Sequence, residues 1–154
     1  MSGKTAWITG ASSGIGEGLA KEWLARGGRC VLSGRNVAAL EAVAAHAPDR
    51  CLVLPFESTD YAAIPAMVDK AVAFAGNIDV LVNNAGISQR SLAIDTDMSV
   101  YRKIVDVDLL APIALTQALL SHLLARGSGG TVMISSGAGK AGVPMRTAYC
   151  AAKH

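Results

Sequence analysis

The feature that most constrains this chain is a glycine-rich loop, Thr9-Gly10-Ala11-Ser12-Ser13-Gly14-Ile15-Gly16, which joins a short apolar run to a helical pattern. Its three glycines suit a tight turn with positive φ, close approach of a pyrophosphate to the backbone, and close packing of helix on strand. Exposed N–H groups at the helix N-terminus would then hold the phosphates. A plain turn is the alternative, which the strand–turn–helix context disfavours. The residues predicted to contact a dinucleotide here are Gly10, Ser12, Ser13, Gly14, Ile15 and Gly16.

Short apolar runs alternate with helical patterns along the chain, which predicts βαβ units and a parallel sheet covered on both faces. The predicted fold class is α/β, a Rossmann-type doubly wound parallel sheet in three layers, forming one domain over residues 1–154. The predicted strands are Thr5–Thr9, Arg29–Ser33, Cys51–Pro55, Val80–Asn83 and Thr131–Ser135. The predicted helices are Ile15–Ala25, Val37–Ala47, Tyr61–Ala75 with Pro65 in its first turn, Val100–Ala125 with a kink at Pro112, and one that starts at Tyr149.

The composition excludes several classes of function. Hydrophobic residues make up 51% and charged residues 17% of the chain, and the net charge is only +2, without the basic stripe that nucleic-acid binding requires. We find no secretory signal and no apolar stretch long enough to span a membrane, so we expect a cytoplasmic protein with no membrane partner. The three cysteines show no metal-ligand spacing, and we predict no metal site.

A tyrosine and a lysine four residues apart, Tyr149 and Lys153, would share one face of a helix near the end of the chain. A nearby positive charge stabilises a phenolate and lowers the tyrosine pKa, so Tyr149 becomes usable as an acid or base near neutral pH. Such a pair is common by chance, but Ser136 ends the fifth strand 13 residues before Tyr149, and Asn83-Asn84-Ala85-Gly86 closes the fourth.

These four motifs, in this order and on these elements, resemble the short-chain dehydrogenase/reductase family over the whole chain. The resemblance implies that Ser136 hydrogen-bonds the substrate oxygen and that Tyr149 donates a proton to a carbonyl or removes one from an alcohol. Lys153 would hold the nicotinamide ribose and depress the pKa of Tyr149, and both Tyr149 and Lys153 are predicted to contact the cofactor. It also implies that the Asn83–Gly86 segment lines the nicotinamide side and braces the sheet, with Asn83, Ala85 and Gly86 as the contacts. The implied activity is hydride transfer between a nicotinamide cofactor and a small carbonyl or alcohol substrate.

The end of the second strand indicates which cofactor is used. An acid commonly placed there binds the ribose hydroxyls of NAD, but this chain has Gly34 followed by Arg35. A guanidinium suits a 2′-phosphate, so we favour NADP(H) over NAD(H), the alternative being that Arg35 is simply solvated. After the third strand, Glu57 takes the place of a family aspartate that contacts adenine, or it helps to cap the next helix.

The chain departs from the family pattern at Asp108, where many members carry a catalytic asparagine that holds a water near the lysine. Asp108 could bind the same water, or it could only order the local helix. Its carboxylate would add a negative charge near Lys153 and could raise the pKa of that lysine. We keep Asp108 as a candidate fourth member of the catalytic set.

The chain is also short, because family members usually run to roughly 250 residues. We expect a C-terminally truncated form in which the last strands are missing and the fifth strand is an exposed edge. The alternative to an active enzyme is therefore a non-catalytic fragment that binds a dinucleotide without turnover. The apolar stripe along Leu109–Leu124 leads us to expect a homo-oligomer, although part of that stripe is simply core.

Overall fold

The computed structural model describes residues 1–154 as a five-stranded parallel sheet flanked by helices. The strand order is β3-β2-β1-β4-β5. Strands β2 and β3 are thus added on one side of β1, and the chain then crosses back to add β4 and β5 on the other side. The central strand β1 is buried at every position, as expected of a strand that has a neighbour on each side and helices on both faces. The strands are β1 (Thr5–Thr9), β2 (Arg29–Ser33), β3 (Cys51–Val53), β4 (Val80–Asn83) and β5 (Gly130–Met133).

Six helices cover the two faces and one end of the sheet. They are α1 (Gly14–Ala25), α2 (Val37–Ala44), α3 (Ile64–Ala75), α4 (Met98–Val105), α5 (Ala111–Arg126) and α6 (Thr147–Lys153). Helices α1 and α2 pack with Ile8 and Leu32 in one buried cluster, and α3 and α5 pack with Trp7 and Leu81 in another. The predicted doubly wound, three-layer arrangement is therefore confirmed.

Three predicted elements are longer than the observed ones. Helix α2 ends at Ala44 rather than Ala47, and Ala47, which directly precedes Pro48, lies outside the helical region with φ −161° and ψ 72°. Strand β3 ends at Val53 rather than Pro55, since proline cannot donate to a ladder. Helix α3 begins at Ile64 rather than Tyr61, and Pro65 lies in its first turn as predicted.

The predicted long helix is continuous from Met98 to Arg126 but contains a π turn, Asp106–Leu110, between α4 and α5. Within this turn the N–H of Ala111 donates to the carbonyl of Asp106, five residues back. Pro112 follows at once and has no N–H to donate to residue 108, so the α-helical ladder is interrupted at the predicted place.

This long helix also corrects one expectation, because it is long and apolar enough to cross a membrane by length and composition alone, with a mean hydropathy of 1.6 over its best window. A core helix passes the same test. Here Leu115, Leu119 and Leu123 of α5 are buried against the sheet, which accounts for part of the apolar composition of that half.

Strand β5 lies at one edge of the sheet, and all four of its residues are exposed. The predicted fifth strand, Thr131–Ser135, is shifted toward the C-terminus relative to the observed one. Directly after β5, Ile134 donates its N–H to the carbonyl of Asn83 at 2.9 Å. The chain therefore stays beside β4 for one residue beyond the end of β5. The carboxyl ends of β1 and β4 therefore meet the segment that follows β5, at the position where ligands bind in open α/β sheets.

Candidate active site

The glycine loop packs against the end of β4 so closely that side chains are excluded at two positions. A Cβ added to Gly10, whose φ is +65°, would lie 2.9 Å from the Cα of Ala85. One added to Gly16 would lie 2.3 Å from the carbonyl oxygen of Gly10. Gly14 differs, because its φ is +56° but its surroundings are open, with no atom within 4 Å of an added Cβ. The three glycines thus meet the three predicted needs: turn, open approach and close packing.

Asn84 is the residue that holds this loop in place, and the sequence prediction did not single it out from its motif. Its Nδ2 donates to the carbonyl oxygens of Thr9 at 3.0 Å and Gly10 at 3.3 Å. The Thr9 hydroxyl in turn accepts the N–H groups of Asn84 and Ala85, both at 3.0 Å. The end of β4 is therefore joined to the glycine loop by hydrogen bonds in both directions.

Asn83, by contrast, faces the other side of the sheet. Its Nδ2 donates to the Thr116 hydroxyl of α5 at 3.0 Å, and its residue is 4% exposed. Successive side chains of a strand alternate between faces, so only one of the two asparagines can point to the glycine loop. The structure thus places Asn83 as a brace between β4 and α5, whereas Ala85 and Gly86 border the cleft.

A cleft of about 420 Å³ runs along the carboxyl ends of the strands, over the glycine loop. It brings together most of the residues predicted to bind a dinucleotide. Its lining includes Gly10, Ser12, Ser13, Ile15, Arg35, Glu57, Ala85 and Gly86. The apolar Ile15 side chain, in the first turn of α1, is 63% exposed at this cleft.

One end of the cleft is bordered by charged side chains of both signs. The Arg35 guanidinium lies 3.6 Å from the Glu57 carboxylate, and both side chains are largely exposed. Lys103 and Asp106 of the long helix line the same end, and neither was predicted from the sequence. The Tyr61 hydroxyl donates to Asp106, and burial together with this hydrogen bond raises the pKa of Tyr61 to about 12.

Helix α6, which presents the tyrosine–lysine pair, contributes no residue to the cleft lining, but it lies next to Gly86, which does line the cleft. Lys153 Nζ lies 5.9 Å from the centre of the Tyr149 ring, and its side chain is only 10% exposed. A Cβ added to Gly86 would lie 3.3 Å from Lys153 Nζ, so this ammonium borders the cleft where Gly86 lines it. The predicted juxtaposition of Tyr149 and Lys153 on one helix face is present.

The segment after β5 holds α6 in position. The Ser135 hydroxyl donates to the carbonyl of Lys153 at 2.9 Å, and Gly139 packs so closely that an added Cβ would lie 1.9 Å from that carbonyl oxygen. Ser136 precedes the short helical turn Gly137–Gly139, and its hydroxyl oxygen accepts the N–H of Ala138 at 3.2 Å. No hydrogen bond joins Ser136 to Tyr149. Ser136 directly precedes the stretch of residues 137–148, and Tyr149 directly follows it.

Asp108 lies in the π turn with its side chain fully buried, 3.5 Å from Lys153 Nζ. Burial raises the pKa of its carboxyl, against the opposing effects of the Ile87 N–H, which donates to Oδ1 at 2.7 Å, and of the Lys153 charge. The structure therefore brings Asp108 to the lysine, as its place in the sequence suggested.

The fold is a Rossmann-type α/β domain with a cleft over its glycine loop and a tyrosine–lysine pair on a helix beside Gly86. The sequence model of the short chain dehydrogenase family matches residues 4–154, and the chain belongs to this family.

Relatives and solved structures agree with that assignment. The chain is 41% identical over 155 residues to human dehydrogenase/reductase SDR family member 7, covering 96% of this chain and 46% of the relative. It is also 41% identical over 157 residues to the mouse family member 7B, covering 96% of this chain and 48% of that relative. The chain thus spans about half the length of the curated relatives it matches.

Two solved structures share the fold closely. A short-chain dehydrogenase from Streptomyces avermitilis matches with a TM-score of 0.93 at 35% identity, covering 97% of this chain and 56% of that one. A metagenomic short-chain oxidoreductase in complex with NADP matches with a TM-score of 0.92 at 33% identity, covering 99% of this chain and 71% of that one.

Proposed function

We propose that this chain is the cofactor-binding and proton-transferring part of an NADP(H)-dependent oxidoreductase that interconverts a carbonyl and an alcohol. The observation that carries the proposal is the position of Lys153 Nζ beside Gly86, where the cleft over the glycine loop meets the helix that presents Tyr149. A cation and a phenol at the end of a dinucleotide-shaped cleft form an acid–base pair next to where a reacting carbon would lie.

The residues of the cleft fit a dinucleotide. The space beside Gly14 is open, and Ser13 at the start of α1 makes no side-chain capping hydrogen bond. The first N–H groups of that helix are therefore free to bind an anion, which the helix dipole also favours. Ala85 and Gly86 would border the nicotinamide half, where their small side chains leave room for a flat ring.

Three of the four predicted catalytic side chains have separate tasks. Tyr149 would hold the proton that passes to a carbonyl oxygen, or accept it from an alcohol. Lys153 would stabilise the phenolate form of Tyr149 and hydrogen-bond the ribose, and Ser136 would orient the substrate oxygen. The nicotinamide, when bound, supplies or accepts the hydride.

We propose that Arg35 sets the preference for NADP(H). Its guanidinium is 68% exposed at the cleft and is paired only with Glu57, at 3.6 Å, so it is free to contact a 2′-phosphate. The structure with NADP bound belongs to another protein, but its similarity to this chain supports the same cofactor here. Glu57 would then hold the guanidinium beside the ribose.

The proposed substrate is a small carbonyl or alcohol compound, and the proposed assembly is a homo-oligomer. Several apolar side chains along the π turn and α5 are exposed, which supports an interface on that surface. They are Leu109, Leu110, Ile113, Leu120 and Leu124.

Binding and turnover test the proposal separately. We expect the protein to bind NADPH and to consume it with at least one member of a panel of ketones and aldehydes. Tyr149→Phe should reduce turnover by about a hundred- to ten-thousand-fold, because general acid–base catalysis contributes on that scale, and should affect NADPH binding far less than it affects turnover. Binding without turnover by the wild-type protein would favour the non-catalytic fragment instead.

Arg35→Ala tests the cofactor preference. It should weaken NADPH binding at least about tenfold, the value of a charge-assisted hydrogen bond, while NADH binding changes little. Arg26→Ala is the matched control, since Arg26 is also exposed but pairs with Glu22 on α1. Equal losses for the two cofactors in Arg35→Ala would contradict the assignment.

A further inference from the structure

Asp108 has one carboxylate oxygen whose surroundings call for an explanation. Oδ1 accepts the N–H of Ile87 at 2.7 Å, but Oδ2 is buried and makes no hydrogen bond. Buried polar atoms without a partner are rare, because each one loses its water without replacement. The group that Oδ2 faces is the ammonium of Lys153, at 3.5 Å.

The ammonium of Lys153 is held between two elements of the fold. Its Nζ donates to the carbonyl of Ile134, after β5, at 3.2 Å, and it faces Asp108 in the π turn. An ammonium has three N–H groups, so at least one remains for the cleft. Gly86 keeps that side open, since an added Cβ would lie 3.1 Å from Asp108 Oδ2 and 3.3 Å from Nζ.

Tyr149 is therefore surrounded by a small set of charges. Lys153 Nζ and the Arg146 guanidinium each lie 5.9 Å from the centre of its ring. From α4, the phenol of Tyr101 packs in the same small apolar cluster, and from the π turn the only charged group that faces Lys153 is Asp108. The carboxylate thus opposes one of the two positive charges that lie near the Tyr149 ring.

We propose that Asp108 is a positioning residue whose carboxylate acts as the fixed counter-ion of Lys153 and limits how strongly that ammonium acts on the hydroxyl of Tyr149. The inference rests on the proposed function, because it assumes that Tyr149 is the acid–base group. An asparagine at this position would keep the hydrogen bond to Ile87 but would leave the lysine charge uncompensated. The aspartate therefore gives this site a more weakly acidic tyrosine than an asparagine would.

The test is a direct titration of the tyrosines in the absence of cofactor and substrate. Carbon-13-labelled tyrosine would be followed by NMR against pH, and Tyr149→Phe would assign the Tyr149 signal among the three tyrosines. We expect Asp108→Asn to lower the Tyr149 midpoint by roughly one pH unit.

Asp106→Asn is the matched control, because it removes a carboxylate from the same π turn that contacts Tyr61 instead. It should shift the Tyr61 signal downward and leave the Tyr149 midpoint in place. An unchanged or higher Tyr149 midpoint in Asp108→Asn would overturn the proposal, as would an equal shift in Asp106→Asn.

A measurement on the wild-type protein covers the case in which Asp108→Asn fails to fold. The side-chain carbon next to Nζ of Lys153, assigned with Lys153→Arg, should show an inflection at acid pH, where its counter-ion Asp108 takes up a proton. A flat response there would also overturn the proposal. Neither readout requires turnover, so a failed activity assay and a failed counter-ion assignment are distinguishable.

Discussion

Two glycines of helix α1, only two residues apart, should respond in opposite ways to the same substitution. A Cβ at Gly16 would lie 2.3 Å from the carbonyl oxygen of Gly10 and 2.5 Å from Asn84 Nδ2. At Gly18 an added Cβ meets no atom within 4 Å. Both positions lie within the helix and neither has a positive φ, so intrinsic helix propensity favours alanine equally at both.

The magnitudes follow from these contacts. Alanine in place of glycine within a helix gains roughly 0.5–1 kcal/mol, and Gly18→Ala should raise the free energy of unfolding by about that amount. In Gly16→Ala the new methyl group must displace backbone by about 1 Å, and overpacking of this kind costs about 1–3 kcal/mol. Disturbing one Asn84 hydrogen bond adds about 1 kcal/mol, so the net loss is about 1–3 kcal/mol.

Urea unfolding followed by circular dichroism would measure both variants against the wild type. We expect their free energies of unfolding to differ by at least about 1.5 kcal/mol, which is more than tenfold in the folding equilibrium constant. The m-values should be alike if only the folded state is affected. Equal stabilities of Gly16→Ala and Gly18→Ala would refute the close approach of the glycine loop to β4.

Two further predictions concern stability. Asp79→Asn should cost about 1–3 kcal/mol, because the Asp79 carboxylate accepts the N–H of Thr5 at 2.7 Å and pairs with Arg126 at 2.9 Å. Burial alone would raise the pKa of Asp79, but these partners lower it below 3.8 overall. The stabilisation is therefore present above pH 3.8 and is lost as the pH falls through the pKa of Asp79 in the folded state. The difference in melting temperature between variant and wild type should therefore shrink in acid, and a constant difference would contradict the ion pair. Leu119→Ala should cost about 2–5 kcal/mol in urea unfolding because the side chain is fully buried, whereas Gln117→Ala, at an exposed position of the same helix, should change stability by less than about 0.5 kcal/mol; similar losses would refute the placement of α5.

The strands and the glycine loop could be predicted because their signals are local. Apolar runs, glycine spacing and the four-residue interval between Tyr149 and Lys153 each lie within one element or one turn. The bounds of β1, β2 and β4 agree with the prediction at both ends. Helix ends were less predictable, since capping and neighbouring prolines decide them over two or three residues.

The contacts that complete the site join distant parts of the chain and left little trace in the sequence. Asn83 and Asn84 are chemically identical neighbours, and only the orientation of β4 decides which one faces the glycine loop. The contact between Tyr61 and Asp106 depends on how α4 lies against the segment after β3. No local pattern specifies such orientations, because they result from the packing of the helices on the sheet.

The π turn divides the long helix into two halves whose apolar faces point in different directions. An α-helix turns by about 100° for each residue, so the one extra residue accommodated at Asp106–Leu110 puts α4 and α5 out of phase by about a quarter of a turn. As a result Ile104 faces α6, while Leu119 faces the sheet. Deleting a single residue from this turn would shorten the helix by only about 1.5 Å, yet it would rotate one half against the other. Either Ile104 would lose its contact with α6, or Leu119 would lose its contact with the sheet. Both contacts therefore depend on the number of residues between Ile104 and Leu119.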